Sequence, residues 1–227
     1  MRPVIELLEK LGIKPKHISL YETAFTHSSY NADANTKHHD YERMEFLGDS
    51  VIGLVVSEVS YGARPEMTQG PLTKMKSALV STNSLADLAR KLEFPNYIRV
   101  GNSFSGDISK ANHLLEDVFE AFFGALYLDQ GFDVTRKLLI DIFIGLIKNY
   151  NLEDSADYKS KLQEEMQAEH RESVVYQVVS EIGPSHDRRF VVRVMFDGIE
   201  LGVGEGTTKK QAEQMAAKAA LKKEAIK

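Results

Sequence analysis

The sequence predicts a multidomain protein: an all-α unit over residues 1–150, a linker at 151–156 and a smaller α-β-β-β-α unit over 157–227. Three observations predict this. Apolar residues recur at helical spacing through the first 150 residues, with glycine and proline marking the boundaries. The stretch Asn151 to Ala156 (NLEDSA) is short and polar, the composition of a linker. Beyond it, Ser173 to Ile182 and Arg189 to Phe196 are β-branched and alternating, and Asp197-Gly198 forms a hairpin signal before a third strand at Ile199 to Val203.

Residues 3–11 read as a short amphipathic helix closed by Gly12 and Pro15. Leu20 to Tyr30 contains a second helix and the segment Thr26-His27-Ser28-Ser29, in which His27 reads as a packed, hydrogen-bonded structural residue. Asn31 to His39 is a polar loop; His38 and His39 are assigned no role, because adjacent side chains diverge. A helix then runs to about Ser60. At roughly 100° per residue it carries Glu42, Glu45 and Asp49 on one face. Like charges at these spacings repel. Lysine or arginine would neutralise them on an ordinary surface, where such a cluster is most often a solvated face. Here Met44, Phe46, Leu47, Val51 and Ile52 surround the acids, which favours a half-buried site and a divalent cation.

Thr68 to Glu93 reads as one helix, with Thr68 as cap and Pro71 in the first turn. Its Lys74 and Lys76 face either solvent or phosphate. Phe94 to Gly106 is irregular. The second acidic helix starts near Ser109 and ends at Gly131; it sets Asp117 and Glu120 three residues apart in a dense apolar run. Buried acids need a partner, and two acid-bearing helices facing a shared interior suit a cation between them. The donor set is oxygen only, which points to Mg²⁺ or Mn²⁺. A di-iron bundle would need Glu-x-x-His pairs, and neither helix has one. Phe132 to Tyr150 is the last helix of this unit.

A 43% hydrophobic and 27% charged composition fits a globular chain with a real core. There is no cysteine, which removes disulfides and thiolate metal sites. The N-terminus lacks the apolar run of a secretory signal, and Leu138 to Ile147 is short and interrupted by Asp141. A cytoplasmic protein without membrane segments is expected. The net charge of −5 belongs to residues 1–155, with 16 basic and 21 acidic residues; residues 156–227 hold 12 of each. Tyr158 to His170 is a helix, Gly183-Pro184-Ser185-His186 a turn, and Thr207 to Ala225 an alanine-rich helix. Lys209 and Lys210 fall in its first turn, where they oppose the helix dipole unless an anion docks. A glycine-rich loop after Val203 is expected to lead into them.

The string ERMEFLGDSV at 42–51, with AFTHSSY at 24–30 and LLEDVFEAFFGALYLD at 114–129, resembles the ribonuclease III family. GVGEGTTKKQAEQMAAKAA, in its α-β-β-β-α setting, resembles a double-stranded RNA-binding domain over almost all of 157–225. The resemblance implies an all-α endonuclease domain over 1–150 that cleaves duplex RNA. It implies products with 5′-phosphate and 3′-hydroxyl ends and two-nucleotide 3′ overhangs, and processing of ribosomal RNA precursors and structured mRNAs.

By the same resemblance, Glu45, Asp49, Asp117 and Glu120 bind the metal, with Asp49 and Glu120 catalytic. Glu42 is an RNA-side acid, and Phe46 a contact of a homodimer. Gln69 stands where many family members carry a glutamate among substrate contacts, so altered efficiency is expected, without inactivity. Asp40 and Glu116 have no family match and are read as surface charges. Duplex RNA presents its phosphates and minor-groove hydroxyls more than its bases. The resemblance gives these contacts to Gln163, Gln167, His186, Lys209 and Lys210. Two rivals fit less well. A non-catalytic RNA-binding relative would lose acids from the quartet, which is complete here. A di-metal oxidoreductase would need histidine ligands.

Overall fold

A computed structural model describes residues 2–30, 39–151, 158–170, 173–183 and 188–224. The expected linker at 151–156 falls almost wholly outside them, as do Pro184, Ser185 and His186 of the expected turn. The chain divides into two compact units, Met1–Ser155 and Ala156–Lys227.

The first unit is helical: α1 (Val4–Lys10), α2 (Ile18–Ala24), α3 (Glu42–Ala63), α4 (Gln69–Leu79), α5 (Thr82–Lys91), α6 (Asn112–Gln130) and α7 (Phe132–Lys148). The expected single helix at 68–93 is two. Val80 and Ser81 interrupt it, and Ser81 is extended, with its hydroxyl donating to the Ala78 carbonyl at 2.8 Å. Ser81-Thr82-Asn83-Ser84 is a run of side chains that compete with helical backbone bonds, so the chain restarts there. Gly131, at φ +85°, ends α6 and turns the chain into α7.

α6 is the hub of this unit. Phe119, Phe122 and Phe123 are fully buried on it. Phe122 meets Phe94 at 5.1 Å and Phe25 at 6.2 Å, edge to face. Each such burial contributes about 1.5–3 kcal/mol. α3 has the length and mean hydropathy of a membrane span. It nevertheless packs on α6 and α7 and carries Glu42, Arg43, Glu45, Asp49 and Glu58. Arg136 of α7 clamps Glu58 through two bonds of 2.8 and 2.9 Å, as befits an amphipathic helix in a bundle.

The second unit has α8 (Tyr158–His170), then an antiparallel sheet in the order β1-β2-β3 (Val175–Ile182, Arg189–Phe196, Ile199–Gly206), then α9 (Lys209–Glu224). Asp197 and Gly198, both at positive φ, make the predicted hairpin. Val192 and Val194 of β2 are buried with Leu162 and Met166 of α8 and Ala212, Ala216, Ala217 and Ala220 of α9. The expected glycine-rich loop is strand: β3 continues to Gly206. An added Cβ at Gly202 or Gly204 would lie 2.6 Å from the Ala216 carbonyl oxygen or 2.1 Å from the Ala216 nitrogen, so the glycines let α9 rest directly on the strand.

Candidate active site

The two acidic helices meet backbone to backbone. An added Cβ at Gly48 would stand 1.8 Å from the Glu120 carbonyl oxygen, and one at Gly124 would stand 2.2 Å from the Met44 carbonyl oxygen. No other residue fits either position without moving a helix. This reciprocal contact fixes which residues face one another. Glu45 and Asp49 flank Gly48 on α3, while Asp117 and Glu120 precede Gly124 on α6.

Their electrostatics reflect that placement. Burial, then the charges of Asp49, Glu116, Glu45 and Asp117, pushes the Glu120 carboxyl up to about 8. Burial raises Glu45 as well, followed by Asp117, Glu42, Glu116 and Asp49. Asp117 is raised by burial, opposed mainly by its hydrogen bond from Tyr41. The charges of Glu45, Asp49 and Asp117 thus all act on Glu120, with Asp49 at the exposed edge of the group. Glu116, read from sequence as a surface charge, is a fifth member: it is half-buried, acts on both Glu45 and Glu120, and lies 3.5 Å from His113.

Among the described residues, no three acidic or histidine side chains are already gathered as a metal site. The donors that face one another are nonetheless all oxygen, and their repulsion is the kind that a hard divalent cation relieves. The residues fit such an ion.

Two further residues went unread in the sequence. Tyr41, buried at the start of α3, donates its hydroxyl to Asp117 at 2.9 Å. Asp129, near the end of α6, is a buried carboxylate that accepts from the Lys16 and His17 amides and the Tyr21 hydroxyl. Burial alone would raise its pKa. Hydrogen bonds from Gln130, Lys16, Tyr21 and His17 outweigh that and hold it down at about 2. Asp129 thereby pins the segment before α2 to α6. His27 is structural, as expected: its ring meets Tyr41 at 5.7 Å and Phe104 at 5.5 Å.

The remaining expected site residues disperse. Glu42 is exposed one turn from Glu45. Phe46 is 78% exposed. It borders a cavity of about 790 Å³ whose lining mixes the charged Asp40, Glu42 and Arg43 with Met44, Leu47 and Leu128. Gln69 is not with the acids. It lines a separate cavity of about 510 Å³ with Tyr61 and Lys76, about three turns along α3 from Asp49. In the second unit Gln163 donates to the Ser173 hydroxyl at 3.2 Å, and Gln167 is exposed. Lys210 is exposed, while Lys209 is held by Glu181 at 2.9 Å. Thr208 caps their helix by accepting from the Gln211 amide at 3.1 Å. His186 lies outside the described residues.

A helical unit with facing acids is followed by an α-β-β-β-α unit, and comparison with known proteins divides the chain in the same way and gives the class, a two-domain nuclease. Residues 17–147 match the ribonuclease-III-like family model, and residues 158–224 match the double-stranded RNA binding motif. "Ribonuclease 3" of Enterococcus faecalis is 44% identical over 220 residues, 96% of this chain and 95% of that protein. "Ribonuclease 3" of a Bacillus cereus strain is 44% identical over 218 residues, 95% of this chain and 89% of that protein. Among solved structures, the nuclease domain of ribonuclease III from Campylobacter jejuni matches with TM-score 0.57 and 30% identity. That match covers 63% of this chain and 96% of that one, whose description concerns flexibility in a region involved in dimer formation.

The chain belongs to the ribonuclease III family. It is an endoribonuclease acting on double-stranded RNA, a hydrolase of a metal-dependent family of RNA-processing enzymes.

Proposed function

We propose that Glu45, Asp49, Asp117 and Glu120 together hold a divalent cation, Mg²⁺ with Mn²⁺ able to replace it, for hydrolysis of the duplex RNA backbone. The observation that carries this reading is the Gly48–Gly124 contact, which turns the acid-bearing stretches of α3 and α6 towards each other. Ligation then calls for rotation of side chains about a fixed backbone. When bound, the cation supplies positive charge against the phosphate oxygens and makes water acidic enough to attack. The chain's own residues do the rest. Phe119, Phe122 and Phe123 exclude solvent behind α6, which confines the acids to one wet face. Glu42 stands on the RNA side of Glu45. Glu116 adds negative potential from the same turn as Asp117.

The products carry 5′-phosphate and 3′-hydroxyl ends with two-nucleotide 3′ overhangs, and the two strands are cut by the two sites of a homodimer like those of the family. Exposed Phe46 and Leu128, beside the cavity of about 790 Å³, supply an apolar surface for a second subunit. Residues 157–227 act as the duplex-binding domain, with Gln163, Gln167 and His186 towards the 2′-hydroxyls and Lys209 and Lys210 towards phosphates. Gln69 is a substrate contact apart from the acids. Ribosomal RNA precursors and structured mRNAs in the cytoplasm are the substrates.

Glu120→Gln tests the assignment. Its shape is kept while one negative ligand is lost, so duplex binding in a gel shift should stay near wild type. Cleavage should fall by several orders of magnitude across a Mg²⁺ or Mn²⁺ series. A wild-type cleavage rate would remove Glu120 from the site.

A further inference from the structure

Tyr41 is the residue through which the two halves of the acid cluster are joined. Its carbonyl accepts from the Glu45 backbone amide at 2.9 Å, setting the first turn of α3. Its hydroxyl donates to Asp117 on α6, also at 2.9 Å. The two bonds run to different helices, and each reaches one member of the proposed quartet. Tyr41 is itself held from behind. Its amide donates to the Thr26 carbonyl at 3.1 Å, and its ring lies against His27. His27 is fixed in turn by the Phe104 ring and by Ser29, whose hydroxyl contacts His27 Nδ1 at 2.7 Å and accepts from the Gly101 amide at 3.0 Å. Tyr41 as a whole is 6% exposed, so its side chain is packed in place.

We infer that Tyr41 is a positioning residue that presets the Asp117 carboxylate for cation binding, with the Thr26–Ser29 segment as its buttress. This rests on the proposal that Asp117 is a ligand. A half-buried carboxylate without its donor is free to rotate, and a divalent cation must then bear the cost of orienting it. Partners of this kind, one bond behind a ligand, typically change metal affinity by about 10–100-fold. The bond also leaves one Asp117 oxygen unengaged by Tyr41, so the tyrosine orients the ligand without occupying it.

The test uses the full-length chain and Mn²⁺ alone, with free Mn²⁺ read by electron paramagnetic resonance. Tyr41→Phe keeps the ring and removes only the hydroxyl. It should weaken Mn²⁺ binding about tenfold, while the metal-free protein melts within a few degrees of wild type. Cleavage should return to near the wild-type rate once Mn²⁺ saturates, because the ligands themselves are intact. Unchanged Mn²⁺ affinity in Tyr41→Phe would overturn the inference. So would loss of the fold, or a cleavage defect that saturating Mn²⁺ does not repair, since either makes the hydroxyl something other than a positioning group. Asp117→Asn runs in parallel. Wild-type Mn²⁺ binding by that variant would overturn the ligand assignment beneath the inference, whereas weakened binding there with an unaffected Tyr41→Phe overturns the inference alone.

Discussion

Glycine closes both units, but with different consequences. In the nuclease unit Gly48 and Gly124 lie on two helices and bring together backbones that carry acids on either side of the contact. In the RNA-binding unit Gly202, Gly204 and Gly206 lie on one strand and face the alanines and backbone of α9. The second contact only packs. Its charges, Lys209 and Lys210, stand at the helix end, in solvent. The first contact also concentrates charge, because the closest approach falls among Glu45, Asp49 and Glu120. Close packing of apolar faces stabilises a fold. Around acids it also creates a demand for a cation.

The largest effects separate the two contacts directly. Gly48→Ala forces a Cβ against the Glu120 carbonyl, and should cost at least about 3 kcal/mol and abolish cleavage. Duplex binding by the second unit should survive. Gly204→Ala, which meets the Ala216 backbone, should do the reverse: duplex binding at physiological salt is lost, and cleavage at low salt remains. Melting curves beside gel-shift and cleavage assays check both. Loss of both activities from either variant would contradict the separation.

A smaller effect is expected at the edge of the second contact. Lys209 spends its charge on Glu181 at 2.9 Å, and both side chains are partly exposed. A phosphate must compete with that carboxylate. Glu181→Gln should therefore tighten duplex binding by about two- to fivefold, the range of an exposed ion pair. In a Lys209→Gln background the gain should shrink to what freeing Arg188, 3.5 Å from Glu181, supplies. An equal gain in both backgrounds would make the effect a general one of net charge.

Much of this was legible in the sequence because it depends on spacing. Glu45 and Asp49, and Asp117 and Glu120, are placed on helix faces by their separation alone, and the strands of the second unit declare themselves by alternation. What escaped depends on contacts between distant segments. Gly48 and Gly124 look in sequence like weak points of helices, and only the crossing shows why they are glycine. Tyr41 reads as one aromatic before an acidic run, since its hydroxyl's partner is 76 positions away. Glu116 was read as a surface charge because nothing local shows that α6 turns it towards Glu45. The end of β3 was read as a loop, because Gly204 and Gly206 are residues that favour turns, and only the helix lying on them shows why they are glycine in a strand.

Facing acids that store repulsion until a cation relieves it should show that repulsion in thermal unfolding. Glu120 is raised from 4.5 to about 8 in the folded protein. Between those values the folded state holds a proton that the unfolded state has lost, so stability must fall as pH rises from about 5 to about 8. In EDTA the melting temperature should decline over that interval, and Mn²⁺, binding only the folded form, should restore it at pH 8. Glu120→Gln should flatten the decline, melt above wild type in EDTA at pH 8, and gain less from Mn²⁺. A wild-type melting temperature that is level from pH 5 to 8 and indifferent to Mn²⁺, or a Glu120→Gln protein that behaves like wild type in both respects, would contradict that stored repulsion.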